Sequence, residues 1–144
     1  MSIRSALRAR VAFVRGAVRA DADAIHDLIA AHVADGALLA RTPAEIRRHI
    51  RDFVVAEKDG VVIGCGALHR YGPHLAEIRS ITVRSDRRGH GVGRALVDAL
   101  LERARRQDIT GVCLFTREPE FFASFGFAVV DRARVPDRRP GVRF

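Results

Sequence analysis

The sequence predicts an α/β fold built on one mixed central sheet flanked by helices. Three observations carry this expectation. Short apolar runs of strand character recur along the chain, and segments with the spacing of amphipathic helices separate them. Asp59-Gly60 joins two of the strands as a tight hairpin, whereas a helical segment follows a later one. Antiparallel and parallel pairings must therefore share a sheet.

The elements follow in order. VAFVRGAV, residues 11–18, reads as a first strand that ends at Arg19-Ala20-Asp21. Asp21 or Asp23 can cap the helix that follows, in which Ile25, Leu28, Ile29, His32 and Val33 recur at helical spacing until Gly36. Thr42-Pro43-Ala44-Glu45 has the form of a capping box and predicts a second helix to about Asp52. Residues 53–57 and 61–68 are antiparallel strands around Asp59-Gly60. LAEIRSITV, residues 75–83, alternates as a further strand, with Glu77, Arg79 and Ile81 on one face and Ile78, Ser80 and Thr82 on the other. Val92, Leu96 and Leu100, with Val97, Leu101 and Ala104, mark the buried stripe of a helix ending near Gln107. A short strand at 111–115, a short helix at 119–125 and a strand at 127–130 complete the order.

A chain of 144 residues, 48% of them hydrophobic, supplies one ordinary core, so one domain is expected over 1–144. Residues 1–10 are expected to be disordered, and 132–144 to form a loop or loose tail. No stretch approaches the roughly 18 apolar residues that a bilayer span needs, and arginines interrupt the N-terminus, so neither a membrane span nor a secretory signal is expected. Cys65 and Cys113 each sit in an apolar run, as free thiols in a reducing, cytoplasmic setting do. No metal site is expected, because the cysteines and six histidines form no ligand cluster. The formal charge of +8 would suit nucleic acid, but the arginines are spread along the chain without interleaved aromatics, which argues against such a partner. A homodimer stays open.

Arg88-Gly89-His90-Gly91-Val92-Gly93-Arg94 lies between a predicted strand and a predicted helix, where unobstructed backbone N–H groups can hold a pyrophosphate. A Rossmann fingerprint does not fit the spacing, and a Walker loop would need a following Lys-Ser or Lys-Thr. The stretch VRSDRRGHGVGRALVDALLERA resembles the acetyl-CoA motif of the GNAT superfamily of N-acetyltransferases, R-x-x-G-x-G/A, filled by Arg88, Gly91 and Gly93. The resemblance implies the GNAT fold and acetyl-CoA as cosubstrate. It implies that Ile81, Thr82 and Val83 contact the acetyl and pantetheine portions, and that residues 88–94 hold the phosphates. Phe121 and Phe122 would serve as core and pantetheine wall. DGALLARTPAEIRRHIRDFVVAEKDGVVIGCGAL, AEIRSITV and VCLFTREPEFFASFGF together resemble the acetyltransferase domain of N-acetylglutamate synthases, particularly short stand-alone bacterial forms.

Acetyl transfer to an amine needs a neutral nucleophile, and free amino acids are mostly protonated at neutral pH, so a base is useful. Glu77 matches the family's glutamate at this position and is the candidate; its other reading is a solvated strand residue paired with Arg79. Backbone N–H groups near 81–83 would meet the oxyanion. The tyrosine that many GNAT enzymes use as general acid is absent from the EFFASFGF helix, and the chain's single tyrosine, Tyr71, lies at a strand end. Arg41 matches the family arginine that binds the substrate carboxylate, with Leu38 and Leu39 beside it, and Arg79 and Thr116 are expected to face the same region. The leading function is transfer of acetyl to the α-amino group of glutamate, the first step toward arginine. The alternatives are a GNAT acting on glutamine, another amino acid or a protein N-terminus, and a nonenzymatic acetyl-CoA-binding module.

Overall fold

The computed structural model of the protein describes residues 12–33 and 40–131. The expected features at 1–10, at Val11, at Gly36, at Leu38 and Leu39 and at 132–144 lie outside the described residues. The elements are β1 (Phe13–Gly16), α1 (Ala22–Val33), α2 (Pro43–Arg48), β2 (Phe53–Lys58), β3 (Val61–Arg70), β4 (Leu75–Val83), α3 (Val92–Arg106), β5 (Gly111–Cys113) and α4 (Pro119–Ala123). The strands form one sheet in the order β1-β2-β3-β4-β5. Neighbours from β1 to β4 are antiparallel and β5 runs parallel to β4, so the mixed sheet expected from the hairpin and the later helix is present.

Local chemistry explains most boundaries. The Glu45 N–H donates to Thr42 Oγ1 at 3.1 Å and Pro43 opens α2, as the capping pattern predicts. The helix stops at Arg48, and Ile50–Asp52 continues as a 3-10 turn. Asp59 and Gly60 both have positive φ, 52° and 77°, the requirement of the tight hairpin turn. Asp21 does not cap α1 forward. Its carboxylate turns back to accept the Val18 N–H at 2.7 Å and both Arg15 terminal nitrogens at 2.8 and 3.0 Å, which fastens β1 to the start of α1. Those Arg15 bonds hold the Asp21 carboxyl below its ordinary range against the opposing effect of burial.

β4 departs from simple alternation. Cys65 pairs with Thr82 but Ala67 pairs with Arg79, so Ser80 and Ile81 together oppose the single residue Gly66. This is a β-bulge, and Ser80 carries a φ of 57° to make it. The expected face assignment is therefore corrected: the bulge reverses parity, so Ile81 and Val83 join Ile78 toward α3, and Thr82 joins Glu77 and Arg79 toward α1 and α2. Gly66 makes room for this, since a Cβ there would stand 2.5 Å from Ile81 Cδ1 and 3.0 Å from Leu100 Cδ1.

Two apolar layers cover the sheet. Leu96, Val97, Leu100 and Ala104 of α3 pack with Ile63, Leu68 and Ile78 on one face. Ile25 and Ile29 of α1 and Ile46 of α2 pack with Phe53, Val55 and Cys65 on the other. The strand expected at 127–130 is absent. Phe127 packs toward the first layer while Val129 is 86% exposed, and no described strand pairs with the segment. Apolar β-branched residues form a strand only beside a partner, and β5, three residues long, provides none here.

Candidate active site

β5 pairs with β4 only where Gly111–Cys113 lie beside Leu75–Glu77. Beyond Glu77 the sheet splits, because β4 runs on to Val83 while the chain after Cys113 leaves strand geometry. Backbone polar groups of 78–83 on the opened edge are left to pair with whatever enters. The split forms a cleft of about 1490 Å3, walled by β4, by residues 114–118 and by Phe121 and Phe122.

One region of the cleft combines bare backbone, a helix start and arginines, features that suit an anion. Gly89 and Gly91 have φ of 80° and 79°, and nothing lies within 4 Å of where a Cβ would stand on either, so the turn bares its backbone to the cleft. Gly91 also starts α3, whose first turn has no acidic residue and no side-chain cap. The first N–H groups of the helix therefore stay unsatisfied at its positive end. Arg88, Val92, Gly93 and Arg94 line the cleft there with Ile81, Thr82 and Val83. Arg94 donates to Ser124 Oγ at 2.7 Å and lies over the Phe125 ring, which ties α3 to the end of α4. His90 does not line this cleft. It borders a separate cavity of about 250 Å3 beside Lys58 and Arg87.

The other region gathers ionisable side chains around Glu77. Glu77 is 4% exposed. Tyr71 donates its hydroxyl to Glu77 Oε1 at 2.8 Å, and Arg79 donates to the same oxygen and to the Tyr71 oxygen. Both donors converge on Oε1, so Oε2 has no hydrogen-bond partner among the described residues, and Glu77 lines the cleft. Burial, followed by the bond to Glu77, pushes the Tyr71 phenol up to about 12, so it stays a donor at any ordinary pH. The His69 ring stands edge-on to Tyr71, and His69 and His49 flank the Asp52 carboxylate at 3.7 and 4.0 Å.

Arg41 reaches the same region, and among the described residues it makes no ion pair. Burial and then repulsion from Arg79 lower its pKa, the condition of a cation that would gain from an arriving anion. Thr116 lies across the cleft and accepts the Glu118 N–H at 2.8 Å. Leu39 lies outside the described residues. Among those residues no group of three or more His, Cys, Asp or Glu side chains could hold a metal.

Tyr71, hydrogen-bonded to Glu77, and His32, which lines the cleft, were not foreseen as site residues from the sequence. Tyr71 is two residues beyond His69, the cross-strand partner of Glu77, so strand parity places it on the Glu77 face. His32 offered no such signal, since its helical spacing reads equally as core.

The family model for the acetyltransferase (GNAT) family matches residues 22–127. The chain belongs to that family of N-acetyltransferases. The amino-acid acetyltransferase of Mycobacterium tuberculosis is 39% identical over 121 residues, which cover 82% of this chain and 69% of that protein. Rv2747 from Mycobacterium tuberculosis, solved in complex with CoA and NLQ, superposes with a TM-score of 0.79 at 39% identity over 82% of this chain and 72% of that one. N-acetylglutamate synthase from Neisseria gonorrhoeae, solved with coenzyme A and N-acetyl-glutamate, superposes with a TM-score of 0.82 at 29% identity, covering 88% of this chain but only 30% of that one.

Proposed function

We propose that the protein is an acetyl-CoA-dependent amino-acid N-acetyltransferase whose acceptor is the α-amino group of glutamate, the first step toward arginine. The observation that carries the reading is the presence on one side of the cleft of Glu77, a buried carboxylate whose Oε2 has no hydrogen-bond partner among the described residues, and Arg41, a cation without an ion pair among those residues. The names and bound ligands of the relatives support it.

The anion region fits coenzyme A: bare glycine backbone, an uncapped helix start, and the arginines at 88 and 94. The thioester of that cosubstrate supplies the acetyl group. Arg41 grips an acceptor carboxylate, and a guanidinium fork suits its planar shape. Glu77 takes a proton from the acceptor ammonium at Oε2, directly or through one water, while Tyr71 and Arg79 hold the carboxylate's plane through Oε1. The bulge at Ser80 leaves backbone N–H groups of the opened edge beside the reacting carbonyl, where oxyanion charge develops.

One observation favours glutamine as a second acceptor. Arg79 is already neutralised by Glu77, so of the two arginines nearest Glu77 only Arg41 is without an ion pair among the described residues, one cation for one substrate carboxylate. The test is thiol release from acetyl-CoA against a panel of amino acids and peptide amines. Highest kcat/KM with glutamate supports the proposal; a strong preference for glutamine or a peptide amine overturns the acceptor, and no turnover with any amine overturns the enzyme reading.

A further inference from the structure

We infer that His32 is a positioning residue for coenzyme binding, holding Arg88 ready for phosphate through a neutral imidazole. The inference rests on the assignment of the glycine turn to coenzyme phosphates.

His32 sits in the last turn of α1, on a different element from the glycine turn, yet its ring reaches into the cleft. Its polar neighbours among the described residues are one carbonyl, one hydroxyl and one cation. Nδ1 lies 3.0 Å from the Leu28 carbonyl oxygen and 2.8 Å from Thr82 Oγ1. Nε2 meets the Arg88 guanidinium and lies 3.3 Å from Thr82 Oγ1, a hydroxyl that can donate or accept. A carbonyl can only accept and a guanidinium can only donate, which fixes the arrangement. Nδ1 carries the proton, donating to Leu28, and the Nε2 lone pair receives Arg88. No described carboxylate lies within ion-pair distance of the ring.

This contact uses one of the five N–H groups of Arg88 and leaves the others for an anion in the cleft. Arg88 is otherwise an exposed arginine on a turn of small residues, with no ion pair among the described residues. Left alone, it would have to be ordered at the moment of binding, at a cost in side-chain entropy. The contact is also possible in one protonation state only. A proton on Nε2 removes the acceptor and sets two cations against each other.

The test measures coenzyme A dissociation constants by calorimetry between about pH 5.5 and 8.5, with far-UV circular dichroism confirming the fold of each variant. Comparing wild type with His32→Gln at each pH cancels titration of the coenzyme's own phosphates. The glutamine oxygen can accept from Arg88 but does not titrate. At pH 8.5 the two should bind alike, whereas His32→Ala should bind about tenfold more weakly, the scale of one hydrogen bond to a charged group. Toward pH 5.5 wild type should weaken against His32→Gln by a similar factor. A wild-type affinity that strengthens in acid relative to His32→Gln would mean that the imidazolium itself binds phosphate, and overturns the inference. Equal affinities for wild type and His32→Ala throughout also overturn it. If wild type does not bind coenzyme A at all, the phosphate assignment falls and the inference with it.

Discussion

Glu77 has two donors on Oε1 and none on Oε2 among the described residues, and the proposed mechanism uses that second oxygen as the base. Glu77→Gln should lower kcat by roughly 10²–10⁴-fold at neutral pH, the usual contribution of a positioned base, with partial recovery as pH rises and more acceptor is already deprotonated. A pH profile parallel to wild type would remove Glu77 from this role. Tyr71→Phe leaves the base but loosens its plane, so it should lower kcat about tenfold with the acetyl-CoA KM unchanged. Arg41→Ala should lower kcat/KM for the acceptor by a factor worth roughly 2–5 kcal/mol, and Arg41→Lys should restore part of it, since an ammonium keeps the charge but not the fork. Initial-rate kinetics in both substrates check these outcomes. At this scale Glu77, Arg41 and the glycine turn could be named as candidates because each residue type suits its chemistry on its own, and the structure brings them to one cleft. Tyr71 was not, because what matters about it is its place across a strand pair.

At the scale of elements, the glycine turn and the bulge in β4 depend on backbone that side chains would obstruct. Gly91→Asp adds a strained φ and puts a carboxylate where phosphate is expected, so coenzyme A affinity should fall by more than tenfold in a folded variant, as read by calorimetry. Gly66→Val crowds Ile81 and Leu100 and should destabilise the protein by about 1–3 kcal/mol in denaturant titration, with kcat falling as the opened edge shifts. The β2–β3 hairpin and the α2 cap were readable from the sequence because turn and cap chemistry is local. The bulge was not, because Ser80 gives no sign of a left-handed backbone and the reason for it lies across the sheet at Gly66. The missing strand at 127–130 is the converse case, β-propensity without a neighbour.

For the molecule as a whole, the burial of ionisable groups makes stability depend on pH. Cys65 is sealed in the layer under α1 and α2, where burial pushes its thiol from 9.0 up to about 12. Cys113 beside Glu77 is pushed from 9.0 up to about 11, by burial first and the carboxylate second, and Tyr71 from 10.0 up to about 12. Each folded value exceeds the unfolded one, so the stability linked to these groups is complete below about pH 9 and is lost as pH rises toward 11–12. The denaturant midpoint should hold level from pH 7 to about 9 and then decline, and Cys65→Ala should make the decline shallower. An equal slope in the variant would mean that Cys65 is not the group responsible. The α/β class and the mixed sheet were visible in the order of elements, because connectivity alone forces parallel and antiparallel pairings together.

The bulge also bears on how such a protein can change. β4 has nine residues, and in the proposed mechanism Glu77 and Arg79 serve the acceptor while Ile81 and Val83 face the helix that opens at the glycine turn. Without the extra residue at Ser80 and Ile81, one face would carry both sets, and altering the acceptor would disturb the coenzyme. With it, a directed-evolution library that keeps the proposed base Glu77 and varies positions 41 and 79 leaves 81 and 83 untouched on the opposite side. New acceptors can be explored while the donor machinery is inherited intact.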